Sequence, residues 1–361
     1  MTNVPKKNLH LLADMGFADS FAERLEAFNL RDRNHIILVG KSPHKRLAKG
    51  AFPYTNLKDE HAPNPDEYNK VIVHFLLPMV CHWLKQHREL RIHWMFYGAE
   101  VYRNPLVGYD PIGPETKRYF SLNLDDLKRN VGYHLIHRRA WKKALLQVES
   151  ILTHNPVEFE LIKSLVAVPQ AKMETFFYGK GLADAGPKPP VVPPSKQGPL
   201  SVQLGHCAFP SVNHMDFLKA CAPQAGVEFH VPLSYGDSKY ALWVKKQAQN
   251  RTDLHWMMHR LPIEAYMRHI DQMDAGVFPN ARQQGLNNIK MFIRQGKPVF
   301  LHPDSPTTAY YKSIGIEIGR TDAFSVEEYH RLKSLAEQNK AAFNEYGSEA
   351  ACREHYQRLF N

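Results

Sequence analysis

The clearest chemical pattern in the chain lies in residues 272–306, QMDAGVFPNARQQGLNNIKMFIRQGKPVFLHPDSP. Arg282, Gln283, Gln284 and Gly285 form a polar turn, after which apolar residues recur at Leu286, Ile289, Phe292 and Ile293, the spacing of a helix. A guanidinium beside the first backbone N–H groups of a helix suits a phosphate, because both favour negative charge. The plainer reading of Arg282 is a surface ion pair at a strand-to-helix turn. A second polar turn, His302 to Pro306, ends the strand that follows, so two turns converge on one edge.

Such turns need a frame, and the surrounding pattern supplies one. Residues 274–278 read as a buried strand, Gly296 stops the helix, and residues 298–301 begin another strand. The same alternation predicts strands at 8–12, 35–40, 71–75, 90–94, 148–152 and 174–178, then at 200–204, 227–233, 254–258 and 314–318, with helices between most of them. Residues 45–69 are polar with weak structure and 109–123 read as a loop. Charged helices at 325–338 and 349–360 close the chain. Residues 184–199 are rich in Pro and Gly without periodicity, which predicts a stiff linker between domains 1–183 and 200–361. The fold class is α/β, with two Rossmann-like domains, and ligands of such folds lie at the carboxyl edge of the sheet. At those edges stand Asp14, Glu100, the pair Gly205 and His206 with Ser211 and Asn213, the pair Tyr235 and Gly236, and Asn287 just inside the helix after Gly285.

With 361 residues the chain can build two cores, and its formal charge of +10 favours anionic partners: phosphorylated substrates, anionic headgroups or nucleic acid. No nucleic-acid motif accompanies that charge, so no nucleic-acid partner is expected. Cys81, Cys207, Cys221 and Cys352 lack paired spacing and read as reduced packing residues, not a zinc site or a disulfide frame. No apolar run approaches the ~20 residues of a membrane span, and the N-terminus lacks a signal-peptide pattern, so a cytoplasmic location is expected. Residues 124–146 predict a basic amphipathic helix in which Arg138, Arg139 and Lys142 surround Trp141. That pattern fits either a solvated face or a surface touching anionic lipid headgroups.

The segments LHLLADMG, IILVGK, HWMFYGAEVY, LSVQLGHC, HVPLSYG and, above all, AGVFPNARQQGLNNIKMFIRQGKPVFL resemble glycosyltransferase family 56. That family is represented by transfer of N-acetylfucosamine from TDP to lipid II in enterobacterial common antigen synthesis. The resemblance runs from Leu9 to about Ile318. It departs at Asn287 and Asn288, where the family has Gly and a small hydroxyl residue, and at Glu100, where it has Asp. It implies a GT-B fold, two Rossmann-like domains facing each other across a cleft. It also implies a nucleotide-diphosphate-sugar donor on the C-terminal domain, a polyprenyl-diphosphate-linked acceptor on the N-terminal domain, and no metal or other cofactor.

On that reading Arg282 and backbone donors near Gln284 to Asn287 stabilise the departing diphosphate. Ser211 and Asn213 form a second polar turn beside it; Gly205 and His206 sit beside the diphosphate or form a purely structural turn; and Tyr235 stacks on or bonds the base, with packing as the equal alternative. Inversion at the anomeric carbon needs a general base, for which Glu100 and Asp14 are the candidates; His74, inside an apolar strand, reads better as a core residue. Retention would need no such base. Arg138, Arg139, Trp141 and Lys142 would hold the protein peripherally to an anionic membrane surface. A soluble or protein acceptor is the rival within the same fold, and a basic nucleic-acid-binding protein is the rival outside it.

Overall fold

The computed structural model describes residues 5–14, 17–40, 50, 52–58, 61–102, 104–120, 124–177, 198–346 and 348–361. Most of the expected Pro-rich linker, residues 184–197, lies outside them. The chain divides into two units, one of residues 1–109, 128–180 and 348–361, the other of 110–127 and 181–347.

The first unit is built on seven strands: β1 (Asn8–Ala13), β2 (Asn34–Val39), β3 (Tyr54–Thr55), β4 (Val71–His74), β5 (Ile92–Met95), β6 (Val148–Thr153) and β7 (Lys172–Thr175). All pair in parallel, in the order β3-β2-β1-β4-β5-β6-β7. Strands such as NLHLLA are buried along their whole length, as helices on both faces require. The second unit has β8 (Leu200–Leu204), β9 (Val227–Pro232), β10 (Leu254–Met257), β11 (Ala275–Phe278), β12 (Val299–Leu301) and β13 (Gly319–Arg320), also parallel, in the order β10-β9-β8-β11-β12-β13. In both sheets the order reverses between the first strand and the fourth, β1/β4 and β8/β11. In folds of this kind ligands bind at such a switch point, where the connecting helices pass to opposite faces of the sheet.

Several local expectations are corrected. Residues 314–318 do not form a strand: Gly315 ends the helix Pro306–Ser313, and pairing with β12 begins only at Gly319. Ile316 and Ile318 are buried, so their alternation reported burial, not pairing. The expected strand 174–178 lies two residues earlier, at Lys172–Thr175, and the weakly structured 45–69 contains β3. The helix expected at 325–338 is two helices, Val326–Ser334 and Ala336–Tyr346.

Two larger differences follow from contacts distant in sequence. Within the expected loop 109–123, Pro114–Phe120 is a helix of the second unit, because the Asp216 carboxylate accepts from Glu115 N (2.9 Å) and Thr116 N (3.1 Å), an N-terminal cap supplied from a hundred residues away. The last helix, Glu349–Phe360, expected with the second domain, belongs to the first unit. There Tyr356 and Phe360 pack against Phe21 and Phe176, and the Phe360 carbonyl accepts from the side-chain amides of Asn8 (3.2 Å) and Asn34 (3.0 Å). His10 lies in the same core, its Nε2 2.9 Å from Asn34 Oδ1 and its Nδ1 3.0 Å from His74 Nε2. The expected core role of His74 holds.

Candidate active site

The polar turns of the second unit meet at the β8/β11 switch point. β8 is followed by Gly205, whose φ of +72° is open to glycine; a Cβ there would fall 2.7 Å from His214 Nε2 and 2.8 Å from Val212 Cγ1. The turn after β11, PNARQQG, is shaped by Asn280, whose side-chain amide donates to the carbonyls of Arg282 (2.8 Å) and Gln284 (3.4 Å). Gly285, at φ +72°, is the N-cap of the helix Leu286–Arg294 and carries no side-chain acceptor for the first amides of that helix. A Cβ on Gly285 would lie 2.7 Å from His206 Nδ1, so the two turns touch through the absence of that one carbon.

Four of the expected residues are joined here. Ser211 Oγ donates to Gln284 Oε1 (2.8 Å), and the Arg282 guanidinium reaches Ser211 Oγ and the Gln283 carbonyl, both at 3.5 Å. Arg282 is 5% exposed, which overturns its reading as a surface ion pair: the guanidinium is enclosed among turns at the head of a helix. His206 is buried beside it, and burial together with the Arg282 charge pushes its pKa down to about 3. The ring is therefore neutral at pH 7, and the cation here is Arg282. Gln283 and Asn287 are half-buried on the same turn and first helical turn. Tyr235, at the end of β9, is 49% exposed with its ring edge-on to Phe209. A large aromatic left accessible at the carboxyl edge can stack on a base.

Two expected donor residues serve the fold. Asn213 is buried in the left-handed region, its amide donating to the Pro111 carbonyl (2.9 Å) and its Oδ1 accepting from Gly113 N (3.0 Å). Its polar groups anchor residues 110–113 and are not presented to a ligand. Gly236 lies against the backbone of Ala208, to which it pairs as an isolated bridge, and so ties the β8 and β9 turns together. A buried polar layer that sequence reasoning missed lies beneath the turns. Gln203 Nε2 donates to the Gly205 carbonyl (2.9 Å), and the Tyr266 hydroxyl donates to Asn288 Oδ1 and lies 3.5 Å from Gln203 Oε1. The available signal was Gln203 itself, a long polar side chain inside the strand LSVQL.

In the first unit, Asp14 follows β1 at that sheet's switch point and is half-buried. Glu100 is placed differently. It is buried, and its Oε1 accepts from Trp94 Nε1 (3.2 Å) and Tyr97 N (3.0 Å), so the carboxylate fastens the turn at Gly98 from inside. Beyond β5, then, the carboxylate that sequence placed as a base is engaged in holding its own loop.

The basic helix Leu124–Leu146 is present, but Trp141 is 4% exposed and packs edge-on to Trp94 in the core. An anchoring role for Trp141 at a lipid surface is excluded by that burial. Arg138, Arg139 and Lys142 are exposed, and the accessible apolar side chains beside them are Leu135 (83%) and Ile136 (64%). Among the described residues no helix is long and apolar enough to cross a membrane. Cys81, Cys207, Cys221 and Cys352 are all buried, as packing residues should be.

A family model described as "4-alpha-L-fucosyltransferase glycosyl transferase group 56" matches residues 166–343, which include β8 to β13 and the whole ARQQG turn. Among solved structures, the HepE protein of Anabaena in complex with UDP and glucose is similar with a TM-score of 0.60 at 12% identity, covering 98% of both chains. Sucrose-phosphate synthase from Thermosynechococcus elongatus is similar with a TM-score of 0.59 at 12% identity, covering 99% of this chain and 95% of that one. The alpha,alpha-trehalose 6-phosphate synthase from Burkholderia multivorans gives 0.58 at 11% identity, covering 98% and 96%. Those likenesses establish the GT-B fold.

Proposed function

Starting from a GT-B glycosyltransferase whose residues 166–343 carry the group 56 pattern, we propose that this protein transfers a deoxy-amino sugar of the N-acetylfucosamine kind from a nucleoside diphosphate, TDP by preference, to a polyprenyl-diphosphate-linked saccharide. The observation that carries the donor half is the buried Arg282 guanidinium enclosed by the Ser211 and ARQQG turns, at the head of a helix and at the switch point of a parallel sheet. As the anomeric bond breaks, negative charge develops on the departing diphosphate, and fixed donors aimed there lower the barrier. Arg282 is the cation in this role, with Ser211 and the amides after Gly285 as neutral donors. The transfer is proposed to need no metal. The UDP bound by the Anabaena neighbour supports a nucleoside diphosphate in this fold, while the base and the sugar rest on the family pattern.

Asp14 is the proposed general base, since it stands half-buried at a sheet edge while Glu100 is enclosed in its turn. A lipid-linked acceptor implies work at a membrane surface. Arg138, Arg139 and Lys142 would meet anionic headgroups there, with Leu135 and Ile136 as the apolar contact in place of Trp141.

The deciding experiment is a thermal-shift panel of UDP, TDP, GDP and ADP, with magnesium or with a chelator, on the parent and on Arg282→Ala. A ligand at ~100-fold its Kd stabilises the native state by roughly 2.7 kcal/mol, an easily measured shift. Selective, magnesium-independent stabilisation by TDP that the variant loses supports the reading. An equal response in the variant removes Arg282 from the donor site, and silence to every nucleotide removes the donor assignment.

A further inference from the structure

Away from the carboxyl-edge turns, metal-ligating side chains gather on one face of the second sheet. Glu228 and His230 are two residues apart on β9 and share a face, and His255 on β10 is the register partner of His230. The two imidazoles are stacked, centroids 4.8 Å apart with 21° between their planes, and His255 Nε2 is 3.1 Å from Glu228 Oε2. One ligand atom from each of Glu228, His230 and His255 lies within 4.8 Å of the others. From the helix Ile263–Gln272, His269 adds a further imidazole edge-on to His230, with centroids 5.6 Å apart.

A single divalent ion can take the two imidazoles as neutral donors and the carboxylate as a third ligand. Metal–nitrogen bonds of about 2.0–2.1 Å place tetrahedral donors roughly 3.4 Å apart. The proposed ligand atoms, now within 4.8 Å of one another, would have to draw closer on binding, and Glu228 and His255 are the partly exposed side chains of the set. Two imidazoles and one carboxylate suit zinc and its neighbours, whereas magnesium and calcium prefer oxygen shells. The side chains of His255 and Glu228 are 49% and 40% exposed, which gives an ion a route in from solvent.

We propose that Glu228, His230 and His255 form a binding site for a divalent transition-metal ion of the zinc class. Such an ion would clamp β10, the outer strand of the sheet, to β9. Its three ligands lie on the strands, Glu228 and His230 before Tyr235 and Gly236 in the chain, and the role proposed for the ion is structural. An ion held only by the native strands raises stability, and an edge strand is where a sheet gains most from a tie.

The test is titration of the untagged, chelator-stripped full chain with Co2+ and Zn2+, followed by calorimetry and by the visible absorption of bound Co2+. His255→Gln and Glu228→Gln are the ligand variants. His259→Gln, an exposed histidine just after β10, is the control, and circular dichroism confirms that each variant is folded. The expected result is one ion per chain, Co2+ displaced by Zn2+, no response to Mg2+, and affinity weakened at least roughly tenfold in both ligand variants but unchanged in the control. A rise in Tm with Zn2+ should vanish in the same two variants. Absence of saturable binding, or binding undiminished in both ligand variants, overturns the proposal and leaves Glu228 and His255 as an ordinary cross-strand ion pair.

Discussion

Replacing Gly285 with alanine tests the geometry at the centre of the donor site. Two costs are separable. Gly285 sits at φ +72°, ψ 18°, the left-handed region, where a side chain costs about 1–2 kcal/mol. The added Cβ would also lie 2.7 Å from His206 Nδ1 and 2.9 Å from its Cε1, and forcing a buried ring aside costs about 1–3 kcal/mol. The sum is about 2–5 kcal/mol, with each kcal/mol lowering Tm by roughly 2–4 °C for a unit of this size. His206→Ala removes the ring and therefore only the second cost. In that background Gly285→Ala should lose about 1–2 kcal/mol, leaving a coupling energy of about 1–3 kcal/mol between the two positions. Urea unfolding followed by tryptophan fluorescence measures all four proteins, with Trp243 and Trp256 reporting on this unit. TDP binding should weaken in Gly285→Ala as the helix start is displaced. Equal penalties in the two backgrounds would refute the contact, and a Gly285→Ala protein as stable as the parent would refute both parts of the argument.

Other outcomes follow from the remaining geometry. Glu100→Gln keeps an acceptor for Trp94 Nε1 and Tyr97 N and should retain most activity, while Glu100→Ala should lose about 1–3 kcal/mol of stability. Asp14→Asn should cut turnover by roughly 10²–10⁴ with stability intact; a folded Glu100→Gln protein that loses that much instead would reverse the assignment. Phe360→Ala, in the last helix, should destabilise the first unit by about 3–5 kcal/mol, read by chemical denaturation, although 352 positions separate it from Asn8 of β1. On acidification, His10 in the first unit and His206 in the second have folded pKa values depressed by burial to about 3. Below the ordinary value near 6.5 the unfolded chain binds protons that the native rings refuse. Stability should therefore be constant with respect to these groups above that pH and fall between about 6.5 and 3, by about 1.4 kcal/mol per pH unit for each group, as denaturation at stepped pH would show. Binding to vesicles should require anionic lipid, weaken in high salt, and fall in Leu135→Glu but not in Trp141→Phe, as co-sedimentation would measure.

What was legible in the residues was whatever depends on neighbours along the chain. Apolar runs of strand length alternating with helical spacing were enough for two parallel sheets, and Arg282, Gly285 and His206 could be placed at a carboxyl edge because a strand, a turn and a helix start are local events. Tertiary structure alone decided which polar groups face a ligand and which are consumed by the fold. Asn213 looks available in sequence, yet residues 111–113 arrive from the other half of the chain and occupy it, as Glu115 and Thr116 occupy Asp216. Glu100 turns inward because Trp94 and Tyr97 present N–H groups there, and Trp141 turns inward because a basic helix still needs one apolar stripe to bury. The last helix joins the first unit because its aromatic face fits a core already holding Phe21, Phe176 and His10. Periodicity says that a face is apolar; only the packed structure says what that face meets.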